Sequence, residues 1–168
     1  MSNKTINEPY LISINRSVTF NPTRFIGFHY VFEEQDERAL ALKRLNLNEV
    51  MLETTLKKNQ KMVKGEDQLK RLKKMDYVRL DALVFQTLWE NPQLIPEKWK
   101  EKIDGWPTRV SFHGTVLNDT NGHIRVLSLF WDNNKWKWNL NSIHGYQGSS
   151  NPSAVLAIST VAPETSVS

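Results

Sequence analysis

Alternation of apolar and polar residues, broken by Leu117, Val126 and Phe130, is the dominant pattern in the last third of the chain. It runs through residues 110–118, 124–132 and 135–141, where apolar side chains recur at every second position. The breaks between these stretches hold Asn121-Gly122 and Asn133-Asn134, residue pairs that readily adopt the positive φ angles of two-residue hairpin turns. Because period two indicates strands and such turns join neighbouring strands, the sequence predicts a three-stranded antiparallel meander near the C-terminus.

Two-residue turns also predict which residues of the meander lie opposite each other. Antiparallel pairing then gathers the large apolar side chains on one face of the sheet. Gly114 falls opposite Leu129 on this face, where the missing side chain leaves room for a tryptophan ring. The expected pairs are Phe112 with Trp131, Val116 with Leu127, Trp131 with Trp136, Leu129 with Trp138, and Leu127 with Leu140.

Two segments in the middle of the chain predict helices. Residues 66–75 carry acids in the first turn and lysines in the last, an order that suits the helix dipole. Residues 81–90 begin with Asp81, a good N-cap, and present a wide apolar surface that we expect to lie on the aromatic face of the meander. A single aromatic packing layer would then contain Trp89, Trp99, Trp131, Trp136 and Trp138.

Further strands are predicted before these helices, because three short stretches are rich in β-branched and aromatic residues. They cover residues 10–14, 24–32 and 50–54. Helices in the middle of the chain followed by an antiparallel sheet indicate an α+β fold. A length of 168 residues suits one domain, which we place at residues 10–158, between disordered ends at 1–9 and 159–168.

Composition narrows the classes of function. With 39% hydrophobic residues, 24% charged residues and no cysteine, the chain is typical of a globular protein without disulfides, thiolate nucleophiles or cysteine metal ligands. Its N-terminus lacks the layout of a signal peptide, and no apolar run approaches the ~18 residues of a membrane span. We therefore expect a cytoplasmic protein with no membrane association.

Positive charge is concentrated in one segment. The net charge is only +4, but residues 57–79 contain nine basic side chains and three acidic ones. Basic residues on one helix can neutralise phosphates, so nucleic-acid binding is an alternative function, with Lys70, Arg71, Lys73 and Lys74 as its contacts. Since only Tyr77 offers a ring for stacking there, the pattern favours a solvated helix face.

Catalytic chemistry has little support in the sequence. The four histidines, His29, His113, His123 and His144, show no metal-ligand spacing. There is no phosphate-binding glycine loop, nucleophile elbow or HExxH pattern. We expect neither a metal ion nor a cofactor, and an enzyme whose carboxylate and histidine meet only in the fold is kept as a second alternative.

The segment that follows the tryptophan repeat carries the leading functional hypothesis. Residues 139–151 are rich in Asn, Ser and Gly and contain few apolar side chains that could fill a core. Small polar residues with a tyrosine form adaptable contact surfaces, although a plain surface loop has the same composition. We expect a non-enzymatic binding module that presents this loop to another protein. The expected contact residues are Lys137, Asn139, Asn141, His144, Tyr146 and Gln147.

Six stretches spread over most of residues 24–157 carry a family resemblance. They are FIGFHYVFEEQDERALAL (25–42), GEDQLKRLKKMDYVRLDALVFQTLWEN (65–91), LIPEKWKE (94–101), FHGTVL (112–117), WKW (136–138) and NPSAVLA (151–157). In these the chain resembles a group of small uncharacterised bacterial proteins, which implies a bacterial source and no known activity. Residues 139–151 also resemble the variable regions of retroelement-diversified proteins, which implies a changeable loop that recognises a partner.

Overall fold

Residues 10–158, the part of the chain that the computed structural model describes, combine four helices with many short strands. The α+β class expected from the sequence is therefore confirmed. The segments 1–9 and 159–168, which the sequence predicts to be disordered, lie outside the described residues.

The element bounds are as follows. The strands are β1 (Leu11–Ser13), β2 (Tyr30–Gln35), β3 (Arg44–Asn46), β4 (Met51–Glu53), β5 (Met62–Lys64), β6 (Tyr77–Arg79), β7 (Lys102–Ile103), β8 (Trp106–Pro107), β9 (Val110–Ser111), β10 (Thr115–Asp119), β11 (Ile124–Asp132), β12 (Lys135–Ser142), β13 (Tyr146–Gly148) and β14 (Ser153–Ala157). The helices are α1 (Pro22–Ile26), α2 (Glu37–Leu40), α3 (Gly65–Lys74) and α4 (Ala82–Glu90), and short 3-10 turns cover Leu47–Glu49, Pro92–Leu94 and Glu97–Lys100.

Eight of these strands form one central sheet. Its main path runs β2, β10, β11, β9, β14, β4, while β12 also pairs with β11 and β6 also pairs with β14. β14 is antiparallel to β4 along one edge and lies beside β9 and then β6 along the other. Three two-stranded ribbons, β1–β3, β5–β13 and β7–β8, lie outside this sheet.

The hairpin of β11 and β12 has the predicted register. Trp131 lies opposite Trp136, Leu129 opposite Trp138, and Leu127 opposite Leu140. The turn residues Asn133 and Asn134 have φ angles of 50° and 58°. Since a type I′ turn requires positive φ at both central residues, the two asparagines fix the register from the sequence alone.

The other half of the predicted meander is wrong. Residues 110–118 do not form one strand, because β9 and β10 are separated at Phe112–Gly114. Val110 lies opposite Leu129, in the place predicted for Gly114. Phe112 does not lie beside Trp131, because its amide donates to the Leu127 carbonyl over 2.9 Å.

The interruption at Gly114 is caused by the backbone that follows β6. The Gly114 amide donates to the Leu80 carbonyl over 2.8 Å, and the Gly114 carbonyl accepts from the Asp36 amide, also over 2.8 Å. A Cβ at position 114 would lie only 2.2 Å from the Arg79 carbonyl oxygen. The space that the sequence assigned to a tryptophan ring is therefore occupied by main chain.

One face of the sheet carries the aromatic core, and α4 covers it as predicted. Asp81 caps this helix, since its carboxylate accepts from the Val84 amide over 3.2 Å. Phe85 meets the ring of Phe112 at 5.5 Å and that of Trp138 at 6.3 Å, both edge to face. Aromatic pairs in this geometry add to the stabilisation from apolar burial.

The opposite face of the sheet is lined by polar residues and covered by α3. Leu69 of this helix joins Val116, Val126 and Ile143 in a second, smaller apolar cluster. The flanking strand positions hold small hydroxyl and amide side chains that bond to each other, which satisfies polar atoms away from water.

The strand predicted over residues 24–32 is wrong in its first half. Residues Pro22–Ile26 form α1, because the Asn21 side chain caps it by accepting from the Arg24 amide over 2.9 Å, and Pro22 occupies its first position. Proline at that position removes no hydrogen bond from a helix. The local capping signal therefore overrides the β-propensity of Phe25 and Ile26.

A buried arginine joins β6 to the end of β2. The Arg79 guanidinium donates to the His113 carbonyl over 3.0 Å and to Glu34 over 2.8 Å, and its own amide donates to Asp36 over 3.1 Å. Burial disfavours the charge of Asp36, but the hydrogen bonds from the Arg38 side chain and the Arg79 amide prevail and lower the pKa of the carboxyl below its usual value.

Replacing Gly114 by alanine is expected to destabilise the protein by at least about 3 kcal/mol, because the new methyl group meets backbone that cannot rotate away. Gly145→Ala is the matched control, since the nearest atom to its Cβ would be 3.6 Å away, and we expect a change within about 0.5 kcal/mol. Urea unfolding of both variants measures the difference. Equal destabilisation would show that the β6 approach does not constrain position 114.

The lowered pKa of Asp36 predicts a stability loss in acid. The contribution of its charge is complete above the unfolded-state pKa of about 4 and disappears as the pH falls through the lower folded-state pKa. The difference in unfolding free energy between the wild type and Asp36→Asn should therefore shrink below about pH 4. Urea unfolding across this range measures it, and a difference that is independent of pH would contradict the assignment.

Candidate functional site: an aromatic groove

Three large apolar side chains that come from distant parts of the sequence are exposed together. Met62, Trp106 and Tyr146 have exposed fractions of 60%, 70% and 66%. All three line one groove with a volume of about 750 Å³, which we call the aromatic groove. Contiguous exposed apolar surface of this kind marks interaction sites in soluble proteins.

The β7–β8 hairpin presents Trp106 on one wall. Asp104 and Gly105 form its turn with φ angles of 52° and 79°, and positive φ at both positions is the type I′ geometry that joins two strands tightly. Trp106 follows the turn directly and pairs with Ile103. The indole is thus fixed to a short ribbon, and no part of the core covers it.

The β5–β13 ribbon presents Tyr146 and Met62 on the other wall. Tyr146 pairs with Lys64 and Gly148 with Met62, so Tyr146 and Met62 are diagonal neighbours on one ribbon face. Val63, whose side chain has the opposite orientation, is buried. Because successive side chains of a strand point to opposite faces, Val63 is buried in the core while Met62 lines the groove.

Polar groups line the groove between these rings. The Ser149 hydroxyl donates to the Asp104 carboxylate over 2.8 Å and so joins the two walls. The Arg109 amide donates to the Ser150 carbonyl over 2.8 Å, and the Arg109 guanidinium lies 4.6 Å from the centre of the Phe130 ring. The walls are therefore held by specific contacts between segments that are distant in sequence.

Three exposed lysines, which we call the rim lysines, belong to the groove or lie next to its lining residues in the sequence. Lys57 and Lys58 lie between the lining residues Leu56 and Gln60, on a tight turn that the Gln60 amide closes by donating to the Lys57 carbonyl over 2.9 Å. Lys61 lines the groove and is also exposed. Asp104 is the only carboxylate among the described residues that line the groove, so positive potential prevails there.

Of the expected contact residues, the structure places only Tyr146 in the aromatic groove. The others bond within the protein: Lys137 with Asp132 over 2.5 Å, Asn139 with Ser128, Asn141 with Ser111 over 3.2 Å, His144 with Glu66, and Gln147 with the Ser142 carbonyl over 3.5 Å. The set that the sequence grouped together is thus divided over several environments.

The expected loop over 139–151 is also wrong as a structural description. Residues 139–142 continue β12, and residues 146–148 form β13. Asn139 and Asn141 lie on the polar face of the sheet, where their half-buried side chains form hydrogen bonds with the buried hydroxyls of Ser128 and Ser111. The asparagine content that indicated a surface loop reflects buried hydrogen bonding in its first part.

The basic residues expected to bind nucleic acid lie on α3 but are not equally free. Arg71 donates to the Thr55 carbonyl over 2.9 Å and to the Gln60 side chain over 2.7 Å, and Lys73 forms an ion pair with Glu34. Lys70 and Lys74 are exposed. Two of the four candidates are therefore engaged within the protein.

The fold brings histidines to carboxylates at two exposed places. His123 lies 2.8 Å from Asp119, and His144 bonds to Glu66. Neither pair lines the aromatic groove. Within residues 10–158, no three His, Asp or Glu side chains converge as ligands of one metal ion.

A histidine and a serine also meet in the interior. His113 Nδ1 is 2.9 Å from the Ser153 hydroxyl, and both residues are buried. Burial, with the nearby charge of Arg79, lowers the pKa of His113 to about 3. The imidazole is therefore neutral at pH 7. Its hydrogen bond links β14 to the segment between β9 and β10.

Sequence reasoning missed Trp106, and the signal that could have found it is local. Asp104-Gly105 is a strong hairpin dipeptide, with Ile103 before it and Trp106 after it. The sequence pattern assigns the other five tryptophans to the core and indicates no role for this one. Met62 carries no comparable local signal, because its exposure depends on pairing with β13.

Comparison of the chain with protein-family models, with curated proteins and with solved structures gives no match. The resemblance to small bacterial proteins therefore stays a sequence-based expectation. The structure adds that none of the helices in the described segment combines the length and the apolar character that a bilayer span requires.

Trp106→Ala is expected to change the free energy of unfolding by no more than about 0.5 kcal/mol, because the indole is mostly exposed and its loss leaves no cavity. Trp99→Ala is the matched substitution in the core, where the side chain is fully buried, and we expect a loss of about 3–5 kcal/mol. Urea unfolding measures both. A large loss for Trp106→Ala would mean that this indole stabilises the fold.

Proposed function

We propose that the protein is a non-enzymatic binding module whose recognition surface is the aromatic groove. The observation that supports it is the exposure of Met62, Trp106 and Tyr146 in one groove, although they belong to three different strands. Burying each of these side chains would stabilise the fold by about 1.5–3 kcal/mol. A surface that leaves all three exposed gains that stabilisation only when a partner covers them.

The type of side chain in the groove favours binding. Tryptophan, tyrosine and arginine are the residues that most often carry the binding energy of an interface, and Trp106, Tyr146 and Arg109 all line this groove. The single carboxylate, Asp104, accepts a hydrogen bond from Ser149, and the described lining contains no histidine. General acid–base catalysis, which needs such groups free and in reach of a substrate, therefore has little support here.

The size of the groove indicates how a partner is held. Ligand sites commonly have volumes of about 300–1,000 Å³, and about 750 Å³ lies within this range. Such a site takes one short segment of a larger molecule and does not accommodate the face of a globular domain. We therefore propose a flexible segment of a macromolecule as the partner. We also propose a cytoplasmic location, as expected from the sequence.

The test uses a photo-crosslinking amino acid at position 146, in the full chain and in cells. We expect a discrete adduct, because the side chain at this position lies in the groove. Adding Trp106→Ala should reduce the yield at least about tenfold, since truncating a central aromatic residue costs 2 kcal/mol or more in many interfaces. Adduct yield on denaturing gels is the measurement.

The matched control places the same crosslinker at Phe28, an exposed aromatic residue that does not line the groove, with an exposed fraction of 73%. Adducts that appear equally from positions 28 and 146 would reflect nonspecific apolar contact. An adduct from position 146 that survives Trp106→Ala would show that the exposed indole takes no part in binding. Either result would contradict the proposed function.

A further inference from the structure

We infer that the partner segment is single-stranded nucleic acid, with bases that stack on Trp106 and Tyr146 and phosphates that lie against Lys57, Lys58 and Lys61. This rests on the proposed function, because it assigns a ligand class to the same groove. It keeps the basic segment 57–79 of the nucleic-acid hypothesis but places the contacts at Lys57, Lys58 and Lys61, instead of at Lys70, Arg71, Lys73 and Lys74 on α3.

The two exposed rings supply stacking surfaces. Proteins that bind single strands combine a basic groove with aromatic side chains on which successive bases stack, and each stacked base contributes about 1–3 kcal/mol. Trp106 and Tyr146 stand on separate ribbons that face the same groove. The basic segment 57–79 contains only Tyr77 as an aromatic residue, and the fold supplies the missing rings from elsewhere in the chain.

The lysines at the rim are available for phosphates. Lys57, Lys58 and Lys61 are exposed, and none of them forms an ion pair with a residue of the described part of the chain. Arg71 and Lys73, by contrast, already have partners within the protein. Lysines without an ion-pair partner therefore lie in or next to the groove, whereas the partners of Arg71 and Lys73 reduce the positive charge available on α3. A single strand requires rings for its bases and cations for its phosphates in the same groove.

The polar lining suits base edges as well. Gln60, Ser150 and Asn151 line the groove. The side-chain oxygens of Gln60 and Asn151 accept hydrogen bonds within the protein, so these two residues offer amide donors, and Ser150 offers a hydroxyl, to the edges of unpaired bases. A duplex hides its ring faces by stacking and its edges by pairing, so it cannot use these rings. An acidic peptide without aromatic residues would pair with the lysines but has no ring to stack on Trp106 and Tyr146.

The experiment measures fluorescence anisotropy of a labelled oligothymidylate of about 12 nucleotides with the full chain at low salt. If three lysines neutralise phosphates, the plot of log K against log salt concentration should have a slope of about −2, at about −0.7 per phosphate. Trp106→Ala and Tyr146→Ala should each weaken binding by about tenfold, within the range measured for loss of one stacked base. Phe28→Ala should leave the affinity unchanged.

A second pair of variants separates the groove from general basicity. Lys61→Ala and Lys70→Ala remove the same charge from exposed positions, but only Lys61 lines the groove. We expect Lys61→Ala to reduce the steepness of the salt slope by about 0.7 and Lys70→Ala to leave it unchanged. Equal effects of the two variants, or equally tight binding of a duplex of the same length, would overturn the inference.

The outcome also distinguishes the ligand class from the proposed function. A protein adduct from position 146 that depends on Trp106, together with no binding of the oligonucleotide at low salt, would overturn the nucleic-acid inference and support the groove as a protein-binding surface. Absence of both the adduct and the oligonucleotide binding would overturn both proposals. A nucleic-acid adduct that is lost in Trp106→Ala would support both.

Discussion

The close approach of the Arg79–Leu80 backbone to Gly114 is the constraint on which the rest of the structure depends. It divides the stretch 110–118 into two strands, β9 and β10. It also brings the Arg79 guanidinium to Glu34 and allows β6 to pair with β14. The same approach sets the start of α4, because the Ala82 amide donates to the Thr115 hydroxyl over 2.9 Å. One contact between two backbone segments therefore positions both α4, which covers the aromatic core, and the β6–β14 pair of the sheet.

The central sheet separates two kinds of interior. Its aromatic face, packed under α4, stabilises the fold by removing large rings from water. Its polar face is occupied by serines, asparagines and His113, which have partners within the protein, so it depends on matched hydrogen bonds and tolerates fewer changes of shape. A surface-like composition in the strands is consistent with this second interior. The ribbons β5–β13 and β7–β8 leave Met62, Tyr146 and Trp106 exposed to solvent.

Elements with local signals could be predicted from the sequence, and elements set by distant contacts could not. Asn133-Asn134 determines the β11–β12 register and Asp81 the start of α4, because a turn or a cap involves only near neighbours. The break at Gly114 depends on β6, about 35 residues earlier, which no periodicity reveals. Among the groove residues, the exposure of Met62 depends on pairing with β13 and has no local signal, whereas Trp106 follows the Asp104-Gly105 turn, a local signal that predicts a hairpin.

The position of β14 has a consequence for the order in which the molecule assembles. It is the last described strand, yet it lies inside the sheet between β4 on one edge and β9 and β6 on the other. The edges of β4, β6 and β9 that face β14 therefore stay unpaired until β14 is in place. Sheets with such long-range pairing fold slowly, and unpaired edges invite association with other chains, so the interval before β14 pairs is the stage of folding at which this protein is most prone to aggregate.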